Sequence, residues 1–457
     1  MDEHIFKTDV AVVGAGGCGL TAALAAAEGG SQVLLLERAP DVGGTTAMSV
    51  GIIVAAGSRL QLANGEDGTA VELAADIIRM NKSQSDPTVT EVLCRASGPL
   101  VDWLEALGVP LEHMKNYRYS GMSRSWMLSP PKRQGSMMTA VLKERIVNHA
   151  NINLLLGTAV TKLISSGSAV SGLEAMAPDG ERFTVHSKVI ILAAAGFGAS
   201  PELVGRYIPG AATMPYYGSA FADGDAIQWG QAMGGAVDHM SAYQSHSSIA
   251  HPEMILVTTY LINHGAIQVN QQGRRFGNET DSYATHASAV QSQPGQTVVE
   301  IFDEHIFGQT LSDFPRFKEC IDAGIVHRSN STAELARQFG VRPSTLERTL
   351  EEYNDAVRAG GDEFGRSRFG QSLTPPYYAI RVTSALVQTL GGLRVDSRAR
   401  VLRDDGAPLH GLYAGGGTAA GLAGDHVEGY MAGTGLLAAF GLGWIAGREA
   451  IPTSRRS

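Results

Sequence analysis

The chain has 457 residues, of which 44% are hydrophobic and 18% charged, so it has ordinary globular composition and exceeds what one hydrophobic core usually serves. A formal net charge of −9 argues against nucleic acid as a partner. The three cysteines have no paired or metal-like spacing, so we expect neither a disulfide framework nor a bound metal.

The N-terminal residues show no pattern of a secretory signal peptide, and reduced cysteines suit the cytoplasm. The most apolar stretch, residues 433–447, is shorter than the roughly 20 residues that a membrane span requires and is interrupted by glycines. It therefore predicts a buried helix. We expect a cytoplasmic protein without integral membrane association.

The first elements predict a βαβ unit. Residues 8–13 are an apolar, β-branched run, residues 20–28 an alanine-rich helix, and residues 32–37 a second strand. The crossover between them should be right-handed and the sheet parallel. A further strand is predicted over 189–194.

A glycine motif lies between the first strand and its helix. Gly14, Gly16 and Gly19 form GxGxxG: the first permits the turn, the second admits a pyrophosphate and the third lets the helix pack on the strand. Glu37 follows Gly19 by 18 residues at the end of the second strand, where a carboxylate accepts hydrogen bonds from a ribose. The arrangement predicts a dinucleotide site at the helix N-terminus.

The sequence pattern changes at about residue 246, where glycine-rich turns become fewer and amphipathic helices more frequent. The earlier glycine-rich pattern returns at about residue 382. We therefore predict an α/β chain with a discontinuous, Rossmann-like dinucleotide-binding domain over 1–245 and 382–457. An inserted α+β domain is predicted over 246–381. Within it, Ser344 and Glu347 form a capping-box pattern that predicts a helix start.

Several motifs along the chain resemble those of one flavoprotein group. They are the GGTT run from Gly43, AAGF from Ala194, ADGD from Ala222, NxxGxRFxNE from Asn270 and GLYA from Gly411. Together they resemble the FAD-dependent superfamily that includes soluble fumarate reductases and 3-ketosteroid dehydrogenases. The resemblance covers nearly the whole chain.

The resemblance implies FAD as the cofactor, with the 43–46 turn near the flavin and the helix after Gly429 directed at the isoalloxazine. The histidine that attaches flavin covalently in membrane fumarate reductases is missing, so noncovalent FAD is expected. The implied cofactor-binding residues are Gly14, Gly16, Gly17, Gly19, Glu37, Arg38, Gly43, Gly44, Thr45, Thr46, Ser49, Gly51, Val160, Ala194, Gly196, Asp225, Gly416, Gly433 and Leu436.

The substrate-binding charges of fumarate reductases are largely absent. Tyr283 stands where they carry an acid-acting arginine, and Gln388 and Val427 stand where they carry a histidine and an arginine. Only the pair His251–Pro252 matches. Because anion binding without paired cations leaves a costly buried charge, a dicarboxylate substrate is disfavoured.

The NExxxY arrangement that ends at Tyr283 resembles that of 3-ketosteroid dehydrogenases, in which the matching tyrosine removes a proton beside the ketone. We therefore expect α,β-desaturation of a cyclic ketone, either a 3-ketosteroid or a smaller ring. In this group the inserted domain caps the flavin. Tyr283 would take the α-proton and flavin N5 the β-hydride.

Each catalytic candidate also has a structural interpretation. Tyr283 fits a half-buried tyrosine bonded to backbone, and a tyrosine base needs a neighbouring positive charge that the sequence does not identify. Tyr430 could donate to the ketone oxygen or pack against the flavin edge. His251 could contact substrate or serve structure.

The expected partners are a small apolar ketone and an external electron acceptor, namely a quinone, a dye-like carrier or O₂. Two alternatives stay open. One is an enoate reductase that works in the opposite direction, with Tyr283 donating the proton. The other is a catalytically inactive FAD-binding protein that serves as an interaction module.

Overall fold

The computed structural model describes residues 4–115, 117–119, 121–167 and 169–450. The side chains of residues 283 and 284 lie outside this description. The strands are β1 His4–Lys7, β2 Val10–Val13, β3 Val33–Leu36, β4 Ile53–Val54, β5 Glu112–His113, β6 Met127–Ser129, β7 Ile152–Leu155, β8 Ala159–Ser166, β9 Ala169–Met176, β10 Arg182–His186, β11 Val189–Leu192, β12 Val237–Asp238, β13 Tyr243–Ala250, β14 Ile267–Val269, β15 Thr297–Asp303, β16 His327–Ser329, β17 Tyr377–Thr389, β18 Gly392–Leu393, β19 Arg400–Leu402 and β20 Pro408–Ala414.

The α-helices complete the list of elements. They are α1 Gly17–Glu28, α2 Gly44–Met48, α3 Arg59–Ala63, α4 Ala70–Met80, α5 Pro87–Ala106, α6 Gly135–Val147, α7 Pro201–Tyr207, α8 Asp225–Ala232, α9 Tyr260–Asn263, α10 Tyr283–Gln291, α11 Glu304–Asp313, α12 Lys318–Asp322, α13 Thr332–Phe339, α14 Pro343–Ala359 and α15 Thr434–Glu449.

The chain divides into two compact units. Unit 1 runs to residue 212, resumes over 218–243 and again from 388, and unit 2 holds 213–217 and 244–387. The inserted segment thus begins at 244 and ends at 387, where the sequence predicted 246 and 381. The short segment 213–217 also belongs to unit 2, in which Tyr216 bridges Leu386 on β17.

A parallel sheet forms the centre of unit 1. It is part of a ten-stranded mixed sheet, in which β20, β11, β2, β3 and β7 lie side by side in that order and all four neighbouring pairs are parallel. Every residue of β2 and β3 is buried, as expected for parallel strands whose two faces are both covered. This is the predicted βαβ unit, with α1 as its crossover.

Helices α1 and α15 pack closely because small residues line their contact. A Cβ on Gly443 would lie 2.2 Å from the Cys18 carbonyl oxygen, and one on Gly447 would lie 2.4 Å from that of Ala22. The predicted buried helix at 433–447 is therefore confirmed as α15. Among the helices in the described part of the chain, none combines the length and apolarity needed to span a bilayer.

Unit 2 contains a five-stranded sheet in the order β13, β17, β15, β14, with β16 beside β17. The pairs β15–β17, β14–β15 and β16–β17 are antiparallel. Helices α9 to α14 cover it around a core that includes Ile301, Phe302 and Leu346. The predicted class, a Rossmann-like α/β domain interrupted by an α+β insertion, is confirmed.

Two local predictions were wrong. Helix α14 begins at Pro343 with Arg342 as its N-cap and no side-chain cap, so Ser344 and Glu347 form no capping box. Proline occupies the first turn, where its missing N–H costs nothing. Helix α1 begins at Gly17 rather than at residue 20, because Gly17, Cys18 and Gly19 already form its first turn.

Candidate cofactor and substrate site

Two glycines of the motif are required by the protein itself. Gly14 has φ +96°, and a Cβ there would lie 2.5 Å from the Ala193 carbonyl oxygen, just beyond β11. A Cβ on Gly19 would lie 1.8 Å from the carbonyl oxygen of Gly14. Contacts this short exclude any side chain, so the turn between β2 and α1 can form only with glycine at both positions.

Gly16 has a different explanation. The nearest atom to a Cβ there would be the Gly43 carbonyl oxygen at 3.9 Å, and for Gly44 it would be the Gly16 Cα at 3.8 Å. Neither position is crowded by the protein. Gly16 also caps α1 without a side-chain hydrogen bond, and the first turn carries no acidic residue. This helix end can therefore accept a phosphate, and the backbone fits a pyrophosphate.

Glu37 is held at the end of β3 by backbone amides on both sides. Its Oε2 accepts from the Ala15 N–H at 2.6 Å, and its Oε1 accepts from the Ala39 N–H at 2.8 Å. The half-buried carboxylate is thereby oriented before any ligand binds. This geometry suits the ribose contact that the sequence predicted.

Arg38 and Asp225 were predicted separately, and the structure brings them together. Arg38 pairs with Asp223 at 2.7 Å and with Asp225 at 3.6 Å, and it donates to the Phe221 carbonyl oxygen at 2.7 Å. Burial, followed by the charge of Asp223, raises the pKa of Asp225. The cluster joins the loop after β3 to the loop before α8. Val160, which was also predicted to bind the cofactor, lies on β8 opposite Ala175 of β9.

Polar side chains of the 43–51 segment form hydrogen bonds within the segment and to two neighbouring parts of unit 1. Thr46 Oγ1 accepts from the Gly17 N–H at 3.2 Å, and Thr45 Oγ1 accepts from the Ser219 N–H at 3.1 Å. Ser49 Oγ donates to the Thr46 carbonyl oxygen at 2.7 Å. A Cβ on Gly51 would lie 2.8 Å from Pro130 Cδ, so packing already explains that glycine.

Threonines tie the loop after β11 to the end of β17 and to the loop after β20. Thr389 Oγ1 accepts from the Phe197 N–H at 3.0 Å, and Thr418 Oγ1 donates to the Ala195 carbonyl oxygen at 2.8 Å. A Cβ on Gly196 would lie 2.0 Å from Thr389 Oγ1. The predicted positions Ala194, Gly196 and Gly416 thus lie in one pair of connected loops.

A small cleft, partly open to solvent, lies at the N-terminus of α15 in unit 1. Gly433 caps this helix with φ +87° and no side-chain hydrogen bond, and Leu436 lies in the first turn. The cleft is lined by Gln388, Leu390, Gly416, Gly417, Ala419, Gly421, Leu422, Ala423, Tyr430, Thr434, Gly435 and Ala438. None of these lining residues carries a charge.

Gln388 and Tyr430 converge on the start of α15. A Cβ on Gly435 would lie 2.6 Å from Gln388 Nε2 and 3.5 Å from the Tyr430 hydroxyl oxygen. Tyr430 is buried, with 7% of its surface exposed. Two uncharged side chains and an uncapped helix N-terminus therefore face the same small space.

The structure gives few contacts for the two catalytic candidates in unit 2, Tyr283 and His251. Tyr283 is the first residue of α10, and its side chain lies outside the described residues. His251 is exposed just after β13, and its backbone N–H donates to the Arg381 carbonyl oxygen at 3.0 Å. Their catalytic roles stay predictions.

Sequence reasoning missed a buried ion cluster in unit 2. Glu279 accepts from Arg275 at 2.8 and 2.7 Å and from Arg366 at 2.9 Å, and Arg275 also pairs with Asp362 at 2.8 Å. Burial would raise the pKa of Glu279, but the arginines lower it to about 2. The RFGNE run contains two members of the cluster, whereas Arg366 is distant in sequence.

The sequence matches the FAD binding domain family over residues 9–435. A fumarate reductase (cytochrome) of Shewanella frigidimarina is 28% identical over 452 residues, which cover 98% of this chain and 78% of that protein. The open conformation of a flavocytochrome c3 fumarate reductase has a TM-score of 0.85 at 27% identity, covering 98% of this chain and 78% of the other.

A 3-ketosteroid delta1-dehydrogenase from Sterolibacterium denitrificans, solved with 1,4-androstadiene-3,17-dione, has a TM-score of 0.78 at 20% identity and covers 97% of this chain and 99% of its own. At that identity the likeness concerns the fold. The family match agrees with the N-terminus of helix α1, which can accept a phosphate, and with the oriented carboxylate of Glu37. The chain belongs to the FAD binding domain family and is an FAD-dependent oxidoreductase.

Proposed function

We propose that this protein desaturates the α,β C–C bond of a cyclic ketone, either a 3-ketosteroid or a smaller ring. The substrate loses a proton from the α-carbon and a hydride from the β-carbon, and an α,β-unsaturated ketone forms. The two electrons leave to an external acceptor, for which a quinone, a dye-like carrier and O₂ are the candidates.

One observation carries the proposal: the cleft at the start of α15 offers uncharged hydrogen-bond donors and no lining cation. A carboxylate that is buried without a paired cation is strongly disfavoured. A ketone oxygen, by contrast, is neutral in the substrate and gains negative charge only as the α-proton leaves. Neutral donors and a helix N-terminus suit that change.

FAD supplies the hydride acceptor when bound. The residues proposed to hold it without a covalent bond are Gly14, Gly16, Gly17, Gly19, Glu37, Arg38, Gly43, Gly44, Thr45, Thr46, Ser49, Gly51, Val160, Ala194, Gly196, Asp225, Gly416, Gly433 and Leu436.

Tyr430 is proposed as a donor to the ketone oxygen, with the Gln388 amide as a second donor beside it. Their convergence at Gly435 supports a shared target. Tyr283 is proposed to take the α-proton, and His251 to contact the substrate. Removal of a proton beside a carbonyl requires both a base and stabilisation of the developing oxyanion, which these residue types provide.

The proposal is tested by anaerobic absorbance of the purified flavoprotein, titrated with 3-ketosteroids and with cyclohexanone derivatives. Bleaching by a ketone is expected in the wild type, and Tyr283→Phe should retain FAD but bleach far more slowly. Arg348→Leu, a change of an exposed residue on α14, serves as the matched control. If every ketone leaves the flavin oxidised, desaturation is excluded.

A second candidate is an enoate reductase, in which Tyr283 donates the proton. It is favoured by the fumarate reductases among the relatives and by the ordinary pKa of tyrosine, near 10, which suits an acid better than a base. Chemically reduced protein that is reoxidised by an enoate in the absence of oxygen would establish this direction.

A further inference from the structure

Unit 2 buries two carboxylates that have opposite environments. Glu279 is neutralised by Arg275 and Arg366, as described above. Glu300, at the middle of β15, is fully buried and has neither arginine nor lysine among its hydrogen-bond partners in the described residues. Pairs of acids whose surroundings drive their proton affinities apart are a recurring feature of acid–base sites.

Glu300 is bonded on one oxygen only. Its Oε2 accepts from Ser248 Oγ at 2.6 Å and from Gln268 Nε2 at 2.9 Å. Its Oε1 has no hydrogen-bond partner among the described residues, although it is inaccessible to solvent. A buried carboxylate with an unsatisfied oxygen and no cation is costly, whereas a neutral carboxylic acid is not.

Gln268 extends this network to helix α10. Its Oε1 lies 3.0 Å from His286 Nε2, and its backbone N–H donates to Glu279 Oε1 at 3.2 Å. Because the amide nitrogen faces Glu300, the amide oxygen must accept from His286. The imidazole therefore carries its proton on Nε2 and presents Nδ1 as the basic nitrogen.

The charged and titratable neighbours agree with this arrangement. Burial raises the pKa of Glu300 to about 7, and the charge of Glu279 acts in the same direction. Burial lowers the pKa of His286, while the charges of Glu279 and Asp281 oppose that shift and those of Arg366 and Arg275 reinforce it.

Two further groups lie on the elements packed around this network. Burial lowers the pKa of His246, on β13, to about 4, and raises that of the Cys320 thiol, on α12, to about 12. Both are therefore neutral near pH 7. Glu300 is then the group of this network that changes charge in the neutral range.

We propose that Glu300 and His286 form a buried proton-accepting pair that takes up the proton leaving the substrate at helix α10. The proposal rests on the proposed function, since Tyr283 opens this helix. As Tyr283 takes the α-proton, its hydroxyl proton passes to His286 Nδ1, one turn further along the same helix, and the carboxylate of Glu300, coupled through Gln268, balances the new charge. The proton then passes to water, which restores neutral imidazole. Glu300 acts as a positioning residue.

The pair is tested by infrared titration of the oxidised holoenzyme in wild type, Glu300→Gln and the exposed control Glu351→Gln. A carboxylic-acid C=O band is expected at pH 6 that disappears as the pH rises through about 7. The band should be absent in Glu300→Gln and retained in Glu351→Gln. A wild type without such a band at pH 6, or a band that survives in Glu300→Gln, overturns the proposal.

Flavin reduction by ketone supplies the second readout. The rate should rise about tenfold per pH unit below pH 7 and then level, because the ionised Glu300 makes His286 the better proton acceptor. Glu300→Gln should be slower and lose the inflection at unchanged flavin content. An unchanged inflection in this variant overturns the proposal.

Failure of the proposed function gives a different pattern. If no ketone reduces the wild-type flavin, the infrared titration still decides whether Glu300 holds a proton, and the pH profile is measured on flavin reoxidation by an enoate. The proposal then stands only if Glu300→Gln removes that inflection.

Discussion

The polar groups of the two units differ in kind. In unit 1 the residues proposed to bind the cofactor offer backbone amides, glycines and helix ends, and the cleft at α15 is lined by uncharged residues. In unit 2 the interior holds Glu279, Glu300, Arg275 and Arg366, all nearly inaccessible to solvent. Unit 1 thus suits the binding of a fixed cofactor, and unit 2 suits the handling of protons.

The difference shows where each unit is vulnerable. A backbone site tolerates loss of side-chain charge but not the addition of a Cβ. A buried ion cluster tolerates small changes in volume but not the loss of one partner, because the remaining charge is left uncompensated. Four experiments test this contrast.

The largest loss of stability is expected for Arg366→Leu in unit 2. Arg366 is 1% exposed and donates to Glu279 and to the carbonyl oxygens of Ala266 and Ile262. Removing one partner of a buried pair costs about 3–5 kcal/mol. Denaturant unfolding measures the change, and Arg348→Leu, whose pair with Glu352 is exposed, should cost less than about 0.5 kcal/mol. Equal effects would contradict the contrast.

Tyr430→Phe tests whether unit 1 supplies an oxyanion donor. Loss of one such donor lowers kcat by about 10²–10³, or roughly 2.7–4 kcal/mol. Rapid-mixing measurement of flavin reduction should show this loss at unchanged flavin content. A rate within about twofold of wild type would assign Tyr430 to packing instead.

A comparison of Gly19→Ala with Gly16→Ala separates the two reasons why the motif needs glycine, namely crowding by the protein backbone and room for the pyrophosphate. Gly19→Ala should destabilise the protein by about 3 kcal/mol, since its Cβ would overlap the Gly14 carbonyl oxygen. Gly16→Ala should leave the stability of the FAD-free protein unchanged and weaken FAD by about 1–3 kcal/mol. Thermal unfolding and FAD titration measure the two effects. Normal FAD affinity in Gly16→Ala would exclude pyrophosphate contact there.

Glu300→Gln tests the buried acid through the pH dependence of stability. The pKa of Glu300 in the folded protein, about 7, exceeds the ordinary glutamate pKa of 4.5, so the folded state binds more protons between these values. Wild-type stability therefore falls as the pH rises through that window, and the loss is complete above about pH 7. Relative to wild type, the variant should gain about 2.5 kcal/mol between pH 5 and pH 8.5 in unfolding experiments. A difference independent of pH would show that Glu300 is ionised throughout.

Local pattern was enough for the βαβ unit at the centre of unit 1. The order of strand, glycine turn, helix, strand and acid predicted β2, α1, β3 and the position of Glu37, because parallel strands and dinucleotide turns impose short-range rules. The same rules failed at the ends of elements. Helix α14 starts at Pro343 without the expected capping box, and α1 already includes Gly17 and Gly19 in its first turn.

The sequence by itself determined the cofactor class, the interrupted α/β architecture and the uncharged character of positions such as Gln388 and Tyr430. Only the tertiary structure decided that these two side chains meet at Gly435, that Arg38 pairs with Asp225, and that Glu300 is buried without a cation while Glu279 has two. The physical reason is the distance along the chain over which each property is determined. Backbone turns and periodic burial are encoded in neighbouring residues, whereas proton affinity depends on solvent exclusion and on charges contributed by distant segments.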